Sequence, residues 1–215
     1  APISGQIKAS TPLDDSQQAS QAPIDFTAKL HSEGGSRTAG IALDQADIEG
    51  RWHKQVLNLP RILVRMRDAS LQGSASYAVA SKAASGDLAL LLPGLRGNVK
   101  GEISPDNGQG TTQINASNVQ QALAWVQQWP GTDRLRPYHV SGTATVDANW
   151  QGGWKDHGQH LQIAGKLNAP NMQVQLAGQT ADKAIGLHNT ALTVSGTLAQ
   201  ATLQGNAQIQ QSTHD

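Results

Sequence analysis

The chain has 215 residues, long enough for one large domain or two small ones with a sizeable core. Lys and Arg total 16 against 16 Asp and Glu, so no net charge draws it to nucleic acid or to an anionic membrane surface. The lack of cysteine excludes a disulfide framework, and 4% aromatic residues within 38% hydrophobic content is lean for a globular core, whereas 22 glycines suit turn-rich β structure.

No signal peptide is visible, and the longest apolar run, Leu88–Leu92, is far too short to span a bilayer. The chain opens on Ala1-Pro2 with a repeat already under way at Ile3 and still running at Ile209, so it reads as a segment of a longer protein. That repeat is apolar-x-Gly-x-apolar, centred on Gly5, Gly50, Gly73, Gly97, Gly101, Gly142, Gly165, Gly196 and Gly205. Gly50 to Gly73 is 23 residues, Gly73 to Gly97 is 24 and Gly142 to Gly165 is 23, a spacing of the kind that marks stacked repeats. In a strand the three fixed positions share one face. Glycine there costs roughly 0.5–1 kcal/mol against alanine, which implies a return: tight curvature, or room kept on the apolar face.

In chain order, Ile3–Ile7 predicts a strand, and the polar, low-complexity stretch 10–23 a long mobile loop. Ile24, Phe26, Ala28 and Leu30 alternate as a strand, and Gly34-Gly35 is expected to turn the chain. Ile41 and Leu43, then Ala46, Ile48, Gly50 and Trp52, predict an extended run with a bulge near Asp44–Gln45. After Leu57, Leu59 and Pro60, the residues Ile62, Val64 and Met66 point one way, and Arg61, Leu63, Arg65 and Arg67 the other. That basic row offers a grip on an acidic or phosphate headgroup. The plainer reading, a solvated face paired with Asp47 and Glu49, is preferred because charged surface rows are commonplace.

Leu71–Val79 continues the pattern, Ala80–Gly86 reads as a small-residue turn, and Leu88–Leu92 runs to a Pro93-Gly94 turn. Leu95–Ile103 is the next strand, closed by Pro105–Gly108. The rhythm then breaks. Ser117 and Gln120 have capping-box spacing, and Val119, Ala122, Leu123 and Val126 recur with helical period, predicting a helix over 118–128 that ends at Pro130-Gly131. It lacks the basic face of an interfacial helix and is expected to cap an open part of the sheet.

After a polar loop at Asp133–Pro137, Val140 to Trp150 alternate without a fault, which predicts a strand of about 11 residues, or ~36 Å. Such length argues against the short rungs of a parallel β-helix and for antiparallel hairpins. Leu161–Leu167 and Met172–Leu176 are read as one hairpin across Asn168–Asn171, and Leu192–Leu198 with Leu203–Ile209 as another.

Signals for chemistry are sparse. His157 and His160 lie beside Asp156 with loose metal-ligand spacing, but no second cluster completes a site, and a solvated turn is the preferred reading. His31 and His188 stand alone near turns, His139 abuts a strand, and the paired carboxylates Asp14-Asp15 lie in the expected loop, poorly placed for acid–base work. With no G-x-S-x-G, P-loop or dinucleotide fingerprint, no catalysis and no cofactor are expected. What remains is a long aliphatic face with glycine gaps, suited to acyl chains or to an ordinary curved sandwich core.

The repeats at Val140–Trp154, Leu161–Met172, Leu187–Leu198 and Leu92–Gly101 resemble those of the AsmA-like superfamily, in particular its TamB-type (translocation and assembly module) members. The likeness runs from about Ile24 to Ile209 and is a texture of repeats rather than a diagnostic motif. It implies an all-β, mainly antiparallel sheet curled into a U-shaped, taco-like hydrophobic groove, as a single elongated segment. It also implies a place in the periplasm within an inner-membrane-anchored protein of a Gram-negative bacterium. The partner would be the outer-membrane barrel protein TamA, and the function phospholipid transport to the outer membrane with a part in autotransporter assembly. Val140, Ala144, Val146, Ile163, Leu167, Met172, Val174, Leu176, Val194, Leu198, Leu203 and Ile209 would line the groove and meet phospholipid acyl chains. The inserted helix departs from the plain repeat. Holding unfolded outer-membrane β strands by strand addition, and a passive β stalk, are the alternative functions.

Overall fold

The computed structural model describes residues 3–11, 22–38, 41–178 and 184–211, with the side chains of 33–38, 41, 42 and 211 left aside. The chain is all-β: a 13-stranded antiparallel sheet that does not close, with short helical segments. The first half is a meander of β1 (Ile3–Ser10), β2 (Ile24–Thr38), β3 (Ile41–His53), β4 (Val56–Met66), β5 (Ala69–Ala78), β6 (Ala83–Leu92), β7 (Leu95–Ile103) and β8 (Gly108–Ala116). Helix α1 (Val119–Val126) and a 3-10 turn (Asp133–Leu135) follow. The second half comprises β9 (Tyr138–Gly142), β10 (Ala144–Gln151), the helical turn α2 (Lys155–Gly158), β11 (Gln162–Leu176), β12 (Ile185–Thr197) and β13 (Ala201–Gln211). Neighbours follow chain order, except that β8 pairs with β10, while β9 pairs with β11 in line with β10.

Side-chain alternation explains the regular strands, and bulges explain the places where it changes phase. β3 shifts register against β4 between Leu43 and Gln45, so the expected bulge is present and keeps Leu43 and Ala46 on one face. β4 shifts between Leu59 and Ile62, at Pro60-Arg61, and so turns Leu57, Leu59, Ile62, Val64 and Met66 all to that face. Proline is tolerated there because a bulge releases the N–H that the ladder would require.

Three expectations are corrected, one strand was not foreseen, and the single strand expected over Val140–Trp150 is broken at Thr143 into β9 and β10. β2 runs through Gly34 and Gly35 to Thr38 with a register shift between His31 and Ser36, so this pair sits in an irregular strand and not in a turn. β6 begins at Ala83, so Ala83–Gly86 is strand and the turn is shorter. β8 was not foreseen: Gly110, Thr112 and Ile114 are too weakly apolar to declare an alternation. No hairpin forms at Asn168–Asn171. β11 is one strand of 15 residues, and its Pro170 lies at a bulge, with β9 and β10 aligned one residue out of step across it. The second foreseen hairpin, β12 with β13, is present, with a bulge between His188 and Ala191. Of the loop expected over 10–23, residues 12–21 lie outside the described residues.

Helix α1 starts one residue later than the capping-box reading placed it. Asn118, in extended conformation, is the N-cap, and its Oδ1 accepts a hydrogen bond from Gln121 N at 3.0 Å, while Ser117 Oγ donates to Gly94 O. The helix packs on β9 along the edge that no strand covers, and Gln127 Nε2 donates to Leu135 O (2.8 Å) and Tyr138 O (3.1 Å). It thus covers an open edge, with the Trp125 and Trp129 rings 5.0 Å apart. Asn118→Ala should cost about 1 kcal/mol, seen as a melting shift of about 2–4 °C by circular dichroism.

Among the described residues all strands belong to one sheet, and no second sheet is present to form another layer. The solvent-accessible surface is 14035 Å², against about 9,500 Å² for a compact chain of this mass. Among the described residues no large side chain is fully buried, and the buried apolar positions are Ala46, Ala69, Leu92, Ala116, Ala122, Leu161 and Ala169.

Candidate functional site

The register places all nine glycines of the repeat on one face of the sheet, together with most of the large apolar residues, Leu63 and Leu91 being on the other. The opposite face is polar and carries cross-strand ion pairs. Arg51 grips Asp25 through two nitrogens at 2.7 and 3.1 Å, Lys100 meets Asp87 at 2.9 Å, and Arg61 meets Glu49 at 3.7 Å. The hydrogen bond from Asp25, then its charge, raises the Arg51 pKa above its ordinary value; Asp87 does the same for Lys100. In the basic row of β4, Arg61 is therefore partnered by Glu49 as expected, but Asp47 accepts from Gln45 Nε2 instead.

The foreseen groove residues Val140, Ala144, Val146, Ile163, Leu167, Met172, Val174, Leu176, Val194, Leu203 and Ile209 fall on the apolar face of β9 to β13. Toward the β13 edge that face lies open, with Leu203 65% and Ile209 72% exposed. Leu198 is not itself a strand residue, although it continues their register opposite Leu161. It lies past the end of β12, its N–H donates to Leu161 O, and its side chain packs against Gly158 of α2.

One concave part of the face was missed by sequence reasoning. It is a depression of about 360 Å³ on β4 to β7, bounded by Leu59, Tyr77, Leu88, Val99, Ile103 and Trp150, a volume within the range of ligand sites. Leu59, Ala75, Gly86, Gly101 and Trp150, which line it, belong to one row running across the strands, Leu59, Ala75, Gly86, Gly101, Gly110, Trp150 and Ile163, each paired with the next. Rows of larger residues flank it, with Tyr77, Ala84 and Ile103 on one side and Leu88 and Val99 on the other. Ser76, Ser85 and Glu102, also at its border, alternate to the polar face.

Space along this lane is uneven. A Cβ added at Gly110 would fall within the Trp150 ring, and one added at Gly101 would also meet it at 2.9 Å. Trp150 thus reaches across β8 to β7, where its Nε1 donates to Glu102 O at 3.0 Å. At Gly86 the three atoms nearest to an added Cβ are Ser74 O at 3.1 Å and Ala75 Cα and Cβ at 3.8 Å, with no ring among them. At the other end, a Cβ on Gly50 would meet the Phe26 ring and Leu59. Among the repeat glycines, Gly50 leaves space for the Phe26 ring, whereas Gly73 serves the backbone. There φ is +145°, and a Cβ would strike the Asp87 carbonyl.

His157 and His160 are exposed on the α2 turn, where Asp156 and His157 both take left-handed backbone, and among the described residues no three His, Asp or Glu gather as metal ligands. The loop instead docks on the β7–β8 turn through Trp154 N to Ser104 O and Lys155 N to Pro105 O. His31 accepts or donates a hydrogen bond with Ser4 Oγ, and His188 Nδ1 pairs with Asn171 Oδ1. His139 faces solvent on β9, and Asp14 and Asp15 lie outside the described residues. No helix of the described residues is long and apolar enough to cross a membrane. Comparison with protein-family models, with curated proteins and with solved structures gave no match.

Proposed function

We propose that the chain is a bridge segment whose apolar sheet face carries phospholipid acyl chains through the periplasm between the inner and outer membranes. One observation carries the reading: an apolar face continuous from β1 to β13, backed by a charged face and covered by no second layer among the described residues. Burying a hydrocarbon chain there yields about 0.8 kcal/mol per methylene and asks for no hydrogen-bond partner. The repeat texture shared with AsmA-like proteins supports the same reading and suggests an inner-membrane anchor and TamA as elements of the wider assembly.

The unpaired edges of β1 and β13 favour a second reading, in which an unfolded outer-membrane strand adds to the sheet. A photo-crosslinking residue at Ile163 or Val174, compared with Gln162 or Gln173 in living cells, separates the readings. Phospholipid adducts at the first pair alone are expected. High-mass protein adducts would favour strand holding, and no adduct at either pair would leave a passive stalk and sink the transport reading.

A further inference from the structure

The lane is open over Gly86 and Ala75 and filled over Gly101 and Gly110, and the filling group is a single side chain. We propose that Trp150 is the stop that sets how long an acyl chain this part of the face can seat, a role that rests on the lipid reading above. Three features support it. The ring lies along the lane rather than beside it, since Gly110 and Gly101 are its successive neighbours in the row that leads to Gly86. Its position is fixed at both ends, by the β10 backbone and by the Nε1 hydrogen bond to Glu102 O. That bond also uses the only donor the indole has, so the wall it presents to the depression is apolar.

The occupant follows from the same geometry. A peptide laid in the lane would place N–H and C=O groups against Gly, Ala, Leu and Val with no partners, at a cost that an alkyl chain avoids. The open stretch from Leu59 to Gly101 crosses three strand spacings, about 14 Å. Beyond the ring, Gly110 leads on to Ile163, so removing the indole would lengthen the lane by two strand spacings, about 10 Å.

The test is displacement of a fluorescent fatty acid from the 215-residue chain by saturated fatty acids of graded length. Wild type should tighten about fourfold per methylene and level off once the chain spans that stretch of about 14 Å. Trp150→Ala should go on tightening for at least roughly four carbons more, about 5 Å of extra lane being enough. A levelling point unchanged in Trp150→Ala overturns the proposal while leaving the lipid reading intact. If wild type binds no fatty acid of any length, the lipid reading falls and takes this with it. Should Trp150→Ala not fold, as judged by far-ultraviolet circular dichroism, Gly86→Val takes its place. It fills the open end, so levelling should come at a shorter chain, and an unshifted profile again overturns the proposal.

Discussion

Gly110→Leu is expected to lower stability by about 3 kcal/mol, by displacing a fitted ring rather than by straining the backbone. The added Cβ would lie inside the Trp150 ring, so the indole must leave its seat on β7 and β8. Overpacking a fitted contact costs about 1–3 kcal/mol, and the lost Nε1 bond to Glu102 O adds about 1 kcal/mol. For a chain of this size that is a fall in melting temperature of about 6–12 °C, accompanied by a red shift of tryptophan emission as Trp150 meets water. Gly97→Ala, at a glycine on the same face, is the control. Its new Cβ would meet its nearest atoms at 3.8 Å without backbone strain, so it should be neutral or stabilising by up to about 1 kcal/mol. Equal losses at both glycines would mean that the ring seat is incidental.

Val99→Glu should do the opposite, leaving stability almost intact while abolishing binding. Val99 flanks the depression and is 37% exposed on a face that no second sheet covers among the described residues. Its carboxylate can stay hydrated, so the substitution should cost at most about 1 kcal/mol, mostly strand preference. An acyl chain in the lane would have to desolvate that charge, and affinity for a fluorescent fatty acid should fall more than tenfold. Urea denaturation and probe titration on the same sample check both parts. A loss of several kcal/mol would show that the face is a filled core, and the open-groove reading would then fail.

The alternation of apolar residues determined much of this protein. Strands β1 to β5 and β7, the phase change at Asp44, and the one-sided placement of the repeat glycines all follow from a period of two, which is local in the chain. The helix was equally legible from its period of 3.6, and only its cap moved, from Ser117 to Asn118. Where sequence reasoning failed, the local signal had two meanings. Proline or glycine at a change of phase marks a turn or a bulge alike, so Gly34-Gly35 and Asn168–Asn171 read as turns although each lies within a strand. Which of the two occurs is settled by register against the neighbouring strand, a set of hydrogen bonds between residues far apart in sequence.

The same limit hid the lane. Each of its members comes from a different strand, and two of them, Gly86 and Gly110, sit where the sequence suggested a turn or nothing at all. The residue alphabet by itself established an all-β chain with one apolar face and one polar face. Only the tertiary structure decided that no second sheet covers the apolar face among the described residues and that Ala75, Gly86, Gly101 and Gly110 line up, because turn lengths and bulges set the register across five strands at once. The reach of Trp150 over two glycines of neighbouring strands is a consequence of that register, and so is the end of the lane.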